Sequence, residues 1–361
     1  MNNIQSLYND KALVNNIVNA IKEYEDKTIK IMEVCGTHTM AISRFGIRSI
    51  LSEKIRLISG PGCPVCVTPS SYVRASIELA RNEGVIVTTF GDMMRIPYKG
   101  NSLLREKALG RDIRMVYSPL DSIKVAKENP DKKVVFLSVG FETTIPVIAL
   151  SVLEALQNGV SNFMLLTANK TIPQAMRVLS SDRDIEVDGF IYPGHVSAII
   201  GTGLYHELAL KYGIPGVVAG FDPVDVLGAI YKIIENIKNK EIKVENLYSR
   251  IVNPEGNRTA VKTINDVFEE CDAVWRGIGV IPKSGLKLKK AFSEIDAWKL
   301  LDIEENEQDE EPDGCKCGDI LKGKCLPYEC KLFGRACTPE NPVGSCMVSG
   351  EGTCAAYFRY G

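Results

Sequence analysis

The run I29-K-I-M-E-V-C-G-T-H-T-M40, followed by I55-R-L-I-S-G-P-G-C-P-V-C66, sets the fold. Each half begins as a short apolar segment rich in isoleucine, with strand character, and ends in glycine-flanked residues that carry the polar chemistry. Strand first and functional loop second is the order of parallel α/β sheets, whose ligands bind at the carboxyl ends of the strands. Three thiols and an imidazole, Cys35, Cys63, Cys66 and His38, fall in these two loops of a chain with only three histidines.

Outward from this run the same alternation continues. Upstream, Ile4, Leu7, Leu13, Ile17, Val18 and Ile21 keep a rough helical period and predict one or two N-terminal helices. M40-A-I-S-R-F has the apolar spacing of a helix start, and a helix is expected over Ser70–Asn82. V85-I-V-T-T-F90 reads as a buried parallel strand before G91-D-M-M-R, and a helix near 101–109 and a strand at I113-R-M-V-Y117 follow. A second series then starts. V134-V-F-L-S-V139 leads into G-F-E-T-T, F163-M-L-L-T-A168 into N-K-T-I-P, F190-I-Y into P-G-H-V-S, and V217-V-A-G into F-D-P-V-D. V34-C-G-T-H-T39 aligns loosely with V139-G-F-E-T-T144, and G60-P-G-C with Y192-P-G-H, as in a weak internal duplication. The expected fold is therefore α/β: two Rossmann-like parallel-sheet units facing a cleft, with a small cysteine-rich C-terminal domain. The expected divisions are a helical segment 1–28, a first unit 29–130, a second unit 131–300, an acidic linker 301–314 and the cysteine-rich region 315–361.

Charge and composition narrow the classes. The 361 residues carry a net charge of −2 and 45% hydrophobic residues, so nothing points to nucleic acid or a membrane surface as partner. No apolar run reaches the roughly 18 residues needed to span a bilayer, and no secretory pattern is visible at the N-terminus; a cytoplasmic location is expected. Nor does any G-x-G-x-x-G after a strand, or any G-x-x-x-x-G-K-[ST], offer a nucleotide-phosphate site. Eleven cysteines are many, and seven of them fall between Cys315 and Cys354. In such a chain this clustering reads as metal or redox chemistry more than as a disulfide framework.

The constellations each admit more than one chemistry. Four tail thiolates suit first a 4Fe–4S cluster, with Lys316, Lys322, Lys324, Lys331 and Arg335 to offset its charge; a zinc ion, whose common ribbons use paired C-x2-C knuckles absent from this tail, or structural disulfides are the rivals. Cys63 and Cys66 form a C-x-x-C that can be a redox dithiol, two ligands of one metal, or two small core residues. Cys35 with His38 can be a base-activated nucleophile, a metal ligand with its supporting imidazole, or a buried thiol beside a capping histidine. Glu142, in G-F-E-T-T, is an acid, base or hydrogen-bond anchor, or simply a first-turn residue of a helix. His195 in P-G-H either faces the same cleft as Glu142 or, the reading favoured here, is a satisfied loop histidine; His206 reads as structural, Cys271 as packing, and Asp92 and Asp222 as helix caps.

Taken together, E33-V-C-G-T-H-T, G60-P-G-C-P-V-C, F90-G-D-M, G140-F-E-T-T, D188-G-F-I-Y-P-G-H-V-S and C330-K-L-F-G-R-A-C closely resemble the HypD family, which helps build the iron centre of nickel–iron hydrogenases. The resemblance runs over nearly the whole chain. It implies a 4Fe–4S cluster on Cys315, Cys330, Cys337 and Cys354, the family pattern C-x14-C-x6-C-x16-C, leaving Cys317, Cys325 and Cys346 over. It further implies a scaffold for an iron with two cyanides and one carbon monoxide, the Fe(CN)2CO unit, held between this protein and HypC, with HypE as transient cyanide donor. Cys35 would be the iron ligand, with His38 behind it, and Cys63 and Cys66 a thiol pair close to the iron. The alternatives from the residues alone are a thiol–disulfide oxidoreductase using the cluster and a structural zinc protein.

Overall fold

Strands β1 (Ile29–Glu33) and β2 (Ile55–Ser59) run parallel, with Ile29 opposite Ile55 and Glu33 opposite Ser59. The computed structural model describes residues 11–182, 184–301 and 311–361. After β2 the chain leaves this sheet and builds another. β3 (Val85–Thr89), β4 (Ile113–Met115), β5 (Lys133–Ser138) and β6 (Phe163–Thr167) pair in the order β4-β3-β5-β6, all parallel. The chain then returns, and β7 (Gly189–Pro193), β8 (Gly216–Ala219) and β9 (Val244–Asn246) extend the first sheet to β2-β1-β7-β8-β9. An antiparallel pair, β10 (Phe268–Trp275) and β11 (Gly279–Leu288), follows.

The α/β class with two Rossmann-like parallel sheets and a cysteine-rich C-terminal region is as expected. The division of the strands is not. A cut between 130 and 131 places β3 and β4 with β1 and β2, whereas the hydrogen-bond ladders join them to β5 and β6. The second sheet is inserted in the first, between β2 and β7. The loosely duplicated G60-P-G-C and Y192-P-G-H consequently lie in one sheet, on the two strands that flank β1. Parallel strands can be joined only by long crossovers, so sequence order leaves open which sheet a strand enters.

Local chemistry accounts for the elements. V134-V-F-L137 and F163-M-L-L166 are buried at every position, as strands covered on both faces must be. Ser118 and Asp121 exchange hydrogen bonds with each other's backbone and start the helix Pro119–Glu128. One difference bears on function: the helix expected from Met40 begins at Gly36, so Cys35 is its N-cap, in extended backbone (φ −147°, ψ 124°). At the N-terminus the helix spans Lys11–Lys22; Ile4, Leu7 and most of the acidic run, 302–310, lie outside the described residues.

The C-terminal region is not a tethered appendage. Helix Thr353–Tyr360 packs against helix Gly36–Arg44. Arg48 lies over the Tyr357 ring at 4.3 Å, and Arg95 donates to the Val348 carbonyl at 2.6 Å. The buried core between the sheets is shared by Val34, Cys63, Cys66, Phe141, Tyr192 and Trp275 with Cys317, Cys346 and Cys354. No helix among the described residues is long and apolar enough to cross a membrane.

Candidate functional site

The site begins where β1 ends. Glu33, the last residue of the strand, is wholly buried; its carboxylate accepts the Cys35 amide at 3.2 Å and the Thr39 hydroxyl at 2.5 Å. Burial pushes its carboxyl up to about 7 against the pull of those hydrogen bonds. The Gly36 amide donates to Gly62 O at 3.0 Å and ties the two loops together. Gly62 has no alternative here: a Cβ would lie 2.3 Å from the Cys35 nitrogen and 2.4 Å from its Cα. The thiol of Cys35 meets the amides of Thr37 and His38 in the first helical turn, which favour the thiolate. Burial outweighs them, and with the charge of Glu351 it pushes the thiol up to about 12.

His38 is wholly buried, and its Nε2–H donates to Gly220 O at 2.8 Å, after β8. A carbonyl partner fixes the proton on Nε2 and leaves Nδ1 as an acceptor, which has no partner. Burial lowers the imidazole to about 4, so it is neutral at pH 7. The Phe221 ring lies 4.6 Å from that of His38 and 4.0 Å from that of His195. His195, in the first turn of the helix Gly194–Ile200 that follows β7, thus stands at the same sheet edge as Cys35. From the C-terminal region Glu351 completes this edge, accepting the Thr37 hydroxyl at 2.8 Å.

The second group is a buried string of sulfur. Cys63 and Cys66 are 3% and 0% exposed, and the Cys66 amide donates to Cys63 Sγ at 3.2 Å. Burial pushes the Cys66 thiol well up. Ser345 clamps the loop to the tail, its hydroxyl donating to Cys66 O at 2.7 Å. Cys346 touches Cys66 on one side and Cys317 and Cys354 on the other.

Beyond lies a small, partly open pocket lined by Cys315, Cys317, Cys330, Cys337 and Cys354, with Ile320, Leu332, Phe333, Met347 and Gly344. The resident group implied by the family pattern fits. All four pattern cysteines line this one cavity, no carboxylate or imidazole competes with them, and soft sulfur is the donor an iron–sulfur core takes. The Val343 amide donates to Cys337 Sγ at 3.3 Å, a type of bond that tunes such centres.

Glu142 comes from the other sheet, just past β5. One oxygen accepts the Ile172 amide at 2.9 Å, at the start of helix Ile172–Ser181, and the other is buried without a partner. Burial pushes it up to about 7. It is therefore both a helix cap and an under-used carboxyl. Tyr205, wholly buried, feels the charge of both Glu142 and Cys35 and lies between the two sheets' contributions.

Of the residues singled out in sequence, the structure unites Cys35 and His38 at one sheet edge, Cys63 and Cys66 in the string, and Cys315, Cys330, Cys337 and Cys354 in the cavity. His206 lies in helix Gly203–Tyr212 and Cys271 packs on Gly285, both outside the site. Sequence reading missed Glu33, Phe221, Glu351 and Cys346. Glu33 carried a signal, since a carboxylate inside an apolar parallel strand must have partners. Cys346 carried one too, as a cysteine that the cluster pattern leaves over.

The fold and site define a two-sheet parallel α/β protein in which a thiol at a helix N-cap position and a buried dithiol adjoin a thiol-lined pocket. The sequence model of HypD, described as the hydrogenase formation hypA family, matches residues 11–361, and the chain belongs to this family. It is 44% identical to the hydrogenase maturation factor HypD2 of Bradyrhizobium diazoefficiens, over 98% of this chain and 96% of that protein. Identity is 42% with HypD of Rhodobacter capsulatus (99% and 97% covered) and 43% with HypD of Escherichia coli (93% and 90%).

Proposed function

We propose that this protein acts in the maturation of nickel–iron hydrogenases, as a cytoplasmic scaffold on which an iron with two cyanides and one carbon monoxide is assembled between it and HypC. HypE would visit the complex as cyanide donor. The observation that carries this reading is the Cys35 thiol, held at the helix N-cap by Glu33 and Gly62, with the thiols of Cys63, Cys66 and Cys346 leading from the same loops to the tail cavity.

Iron is the cargo here, and a low-spin ferrous ion bearing cyanide favours thiolate. Cys35 would supply one such ligand and HypC's cysteine another. Because Cys35 holds its proton up to about 12, taking up the ion releases a proton. The neighbouring His38 stays neutral and keeps the first helical turn docked on Gly220. Oxidation of Cys63 and Cys66 to a disulfide would release two electrons and two protons next to the loaded iron. Their burial favours this internal role over that of an oxidoreductase acting on other proteins, which needs an exposed attacking thiol. Cys315, Cys330, Cys337 and Cys354 would hold the 4Fe–4S cluster, which when bound supplies one-electron redox chemistry.

The test is infrared spectroscopy of the purified complex with HypC. Cys35→Ala should abolish the cyanide and carbonyl bands while the visible absorption of the tail cluster is unchanged. Bands that persist in that variant would overturn the assignment of Cys35. Stoichiometric zinc in place of iron would overturn the cluster.

A further inference from the structure

Arg276 sits in the turn between β10 and β11, where its amide donates to Val67 O at 2.9 Å, one residue past the C-x-x-C. The residue is 1% exposed, and its Nε and Nη1 are buried without a hydrogen-bond partner. A guanidinium cannot shed its proton inside a protein. Taking it out of water without a counter-charge costs several kcal/mol. Bound water can satisfy the N–H groups but cannot offset the charge.

Arg276 also lines a cleft of about 640 Å³ between the 95–105 segment and the C-terminal region. That volume lies within the range of small-molecule sites. Lys99 and Arg105 line the same cleft, with Tyr98 between loop and wall. Arg95 also lines it and is engaged with the Val348 carbonyl and, at 3.6 Å, with Asp92, as Arg105 is with the Gly100 carbonyl. Three acids border the cleft, Glu311, Asp313 and Glu340. The Glu311 carboxylate lies beside Gly277 and Gly318, its Oε1 2.5 and 2.7 Å from where their Cβ atoms would be. Among the described residues neither Asp313 nor Glu340 forms an ion pair with Arg276, whose Nε and Nη1 have no hydrogen-bond partner, so an anion has room and reason to enter.

From this we infer that the cleft is a binding site for a small molecule carrying a carboxylate or phosphate group, with Arg276 at its floor as the anchoring cation and Arg105 and Lys99 at its walls. The Arg276 guanidinium, with unpartnered N–H groups at Nε and Nη1, can donate charge-assisted hydrogen bonds to the oxygens of such a group. The site is distinct from the Cys35 edge and from the thiol cavity, and the inference does not depend on the reading of either.

Calorimetric titration of the anaerobically purified, cluster-containing full chain tests it, at constant ionic strength, with inorganic phosphate, pyrophosphate and citrate in separate runs and chloride as control. Saturable binding of at least one oxyanion is expected, and which one binds distinguishes phosphate from carboxylate recognition. Arg276→Met should weaken that binding at least about 30-fold, as loss of one partner of a buried charge pair does. Arg105→Gln should weaken it several-fold. Without ligand, Arg276→Met should unfold at the same denaturant concentration as the parent or higher, because the replaced charge has no partner to lose. The inference is overturned if none of the three oxyanions binds below 10 mM (about 3 kcal/mol of affinity). It is equally overturned if Arg276→Met binds as the parent does, or if that variant is markedly less stable without ligand. Should Arg276→Met fail to accumulate, the Arg105→Gln titration decides, unchanged binding there counting against the site.

Discussion

Glu142→Gln isolates a buried carboxyl whose ionisation the fold opposes. In the native protein burial raises this carboxyl from 4.5 to about 7. Below the unfolded value both states are protonated and nothing is lost. As pH rises toward 7 the unfolded chain gives up its proton while the folded one retains it, so stability falls, and it levels off above the folded value. The whole shift is worth about 3 kcal/mol, of which about 2 kcal/mol falls between pH 5.5 and pH 8. Gln has the shape of the protonated acid and can still accept the Ile172 amide that now bonds at 2.9 Å. The variant should therefore match the parent below about pH 4, exceed it by about 1 kcal/mol at pH 5.5 and by about 3 kcal/mol at pH 8, so that its advantage in urea midpoint grows by about 1 M between the last two. Trp275, stacked on Phe141 at 5.7 Å, makes tryptophan fluorescence a local probe of the transition. The parent's own slope should not vanish in the variant, because Glu33 is raised in the same direction. An equal difference between the two proteins at both pH values would refute the reasoning.

Other expectations follow from single contacts. Gly62→Ala drives a methyl into the Cys35 backbone and should cost about 1–3 kcal/mol, whereas Gly203→Ala, at an ordinary φ with open space around it, should stay within about 0.5 kcal/mol in the same denaturant assay. Glu33→Ala leaves the Cys35 amide and the Thr39 hydroxyl buried without an acceptor and should cost about 2–5 kcal/mol; Glu33→Gln should recover most of that loss. Iron analysis should show that Cys337→Ser loses the tail cluster and Cys317→Ser keeps it, although both residues line the cavity; cluster loss in both would make Cys317 a ligand. Cys63→Ser should leave the fold intact and stop a hydrogenase maturation assay, and full turnover would exclude the dithiol role.

Much of the site was legible one residue at a time. Cys35, Cys63, Cys66 and Glu142 stand immediately after apolar runs, where a parallel sheet presents its functional loops, and each does lie there. His195 was equally visible in P-G-H but reads as a loop residue, because nothing local says that β7 lies beside β1. Glu351 is 314 residues from Thr37 and Cys346 is 280 residues from Cys66, beyond the reach of any local pattern.

The sequence by itself determined the class of the fold, the places where strands end in chemistry, and the supply of thiols. Those properties come from side-chain alternation, glycine placement and ligand softness, which act over a few residues. Tertiary structure alone decided that β3–β6 form an inserted sheet, that His195 and Glu351 share an edge with Cys35, and that Cys346 joins the C-x-x-C to the tail cavity. Short apolar parallel strands are nearly interchangeable in pattern. Their order is set by how whole sheets and helices bury their faces against each other, a balance of packing that no single segment encodes.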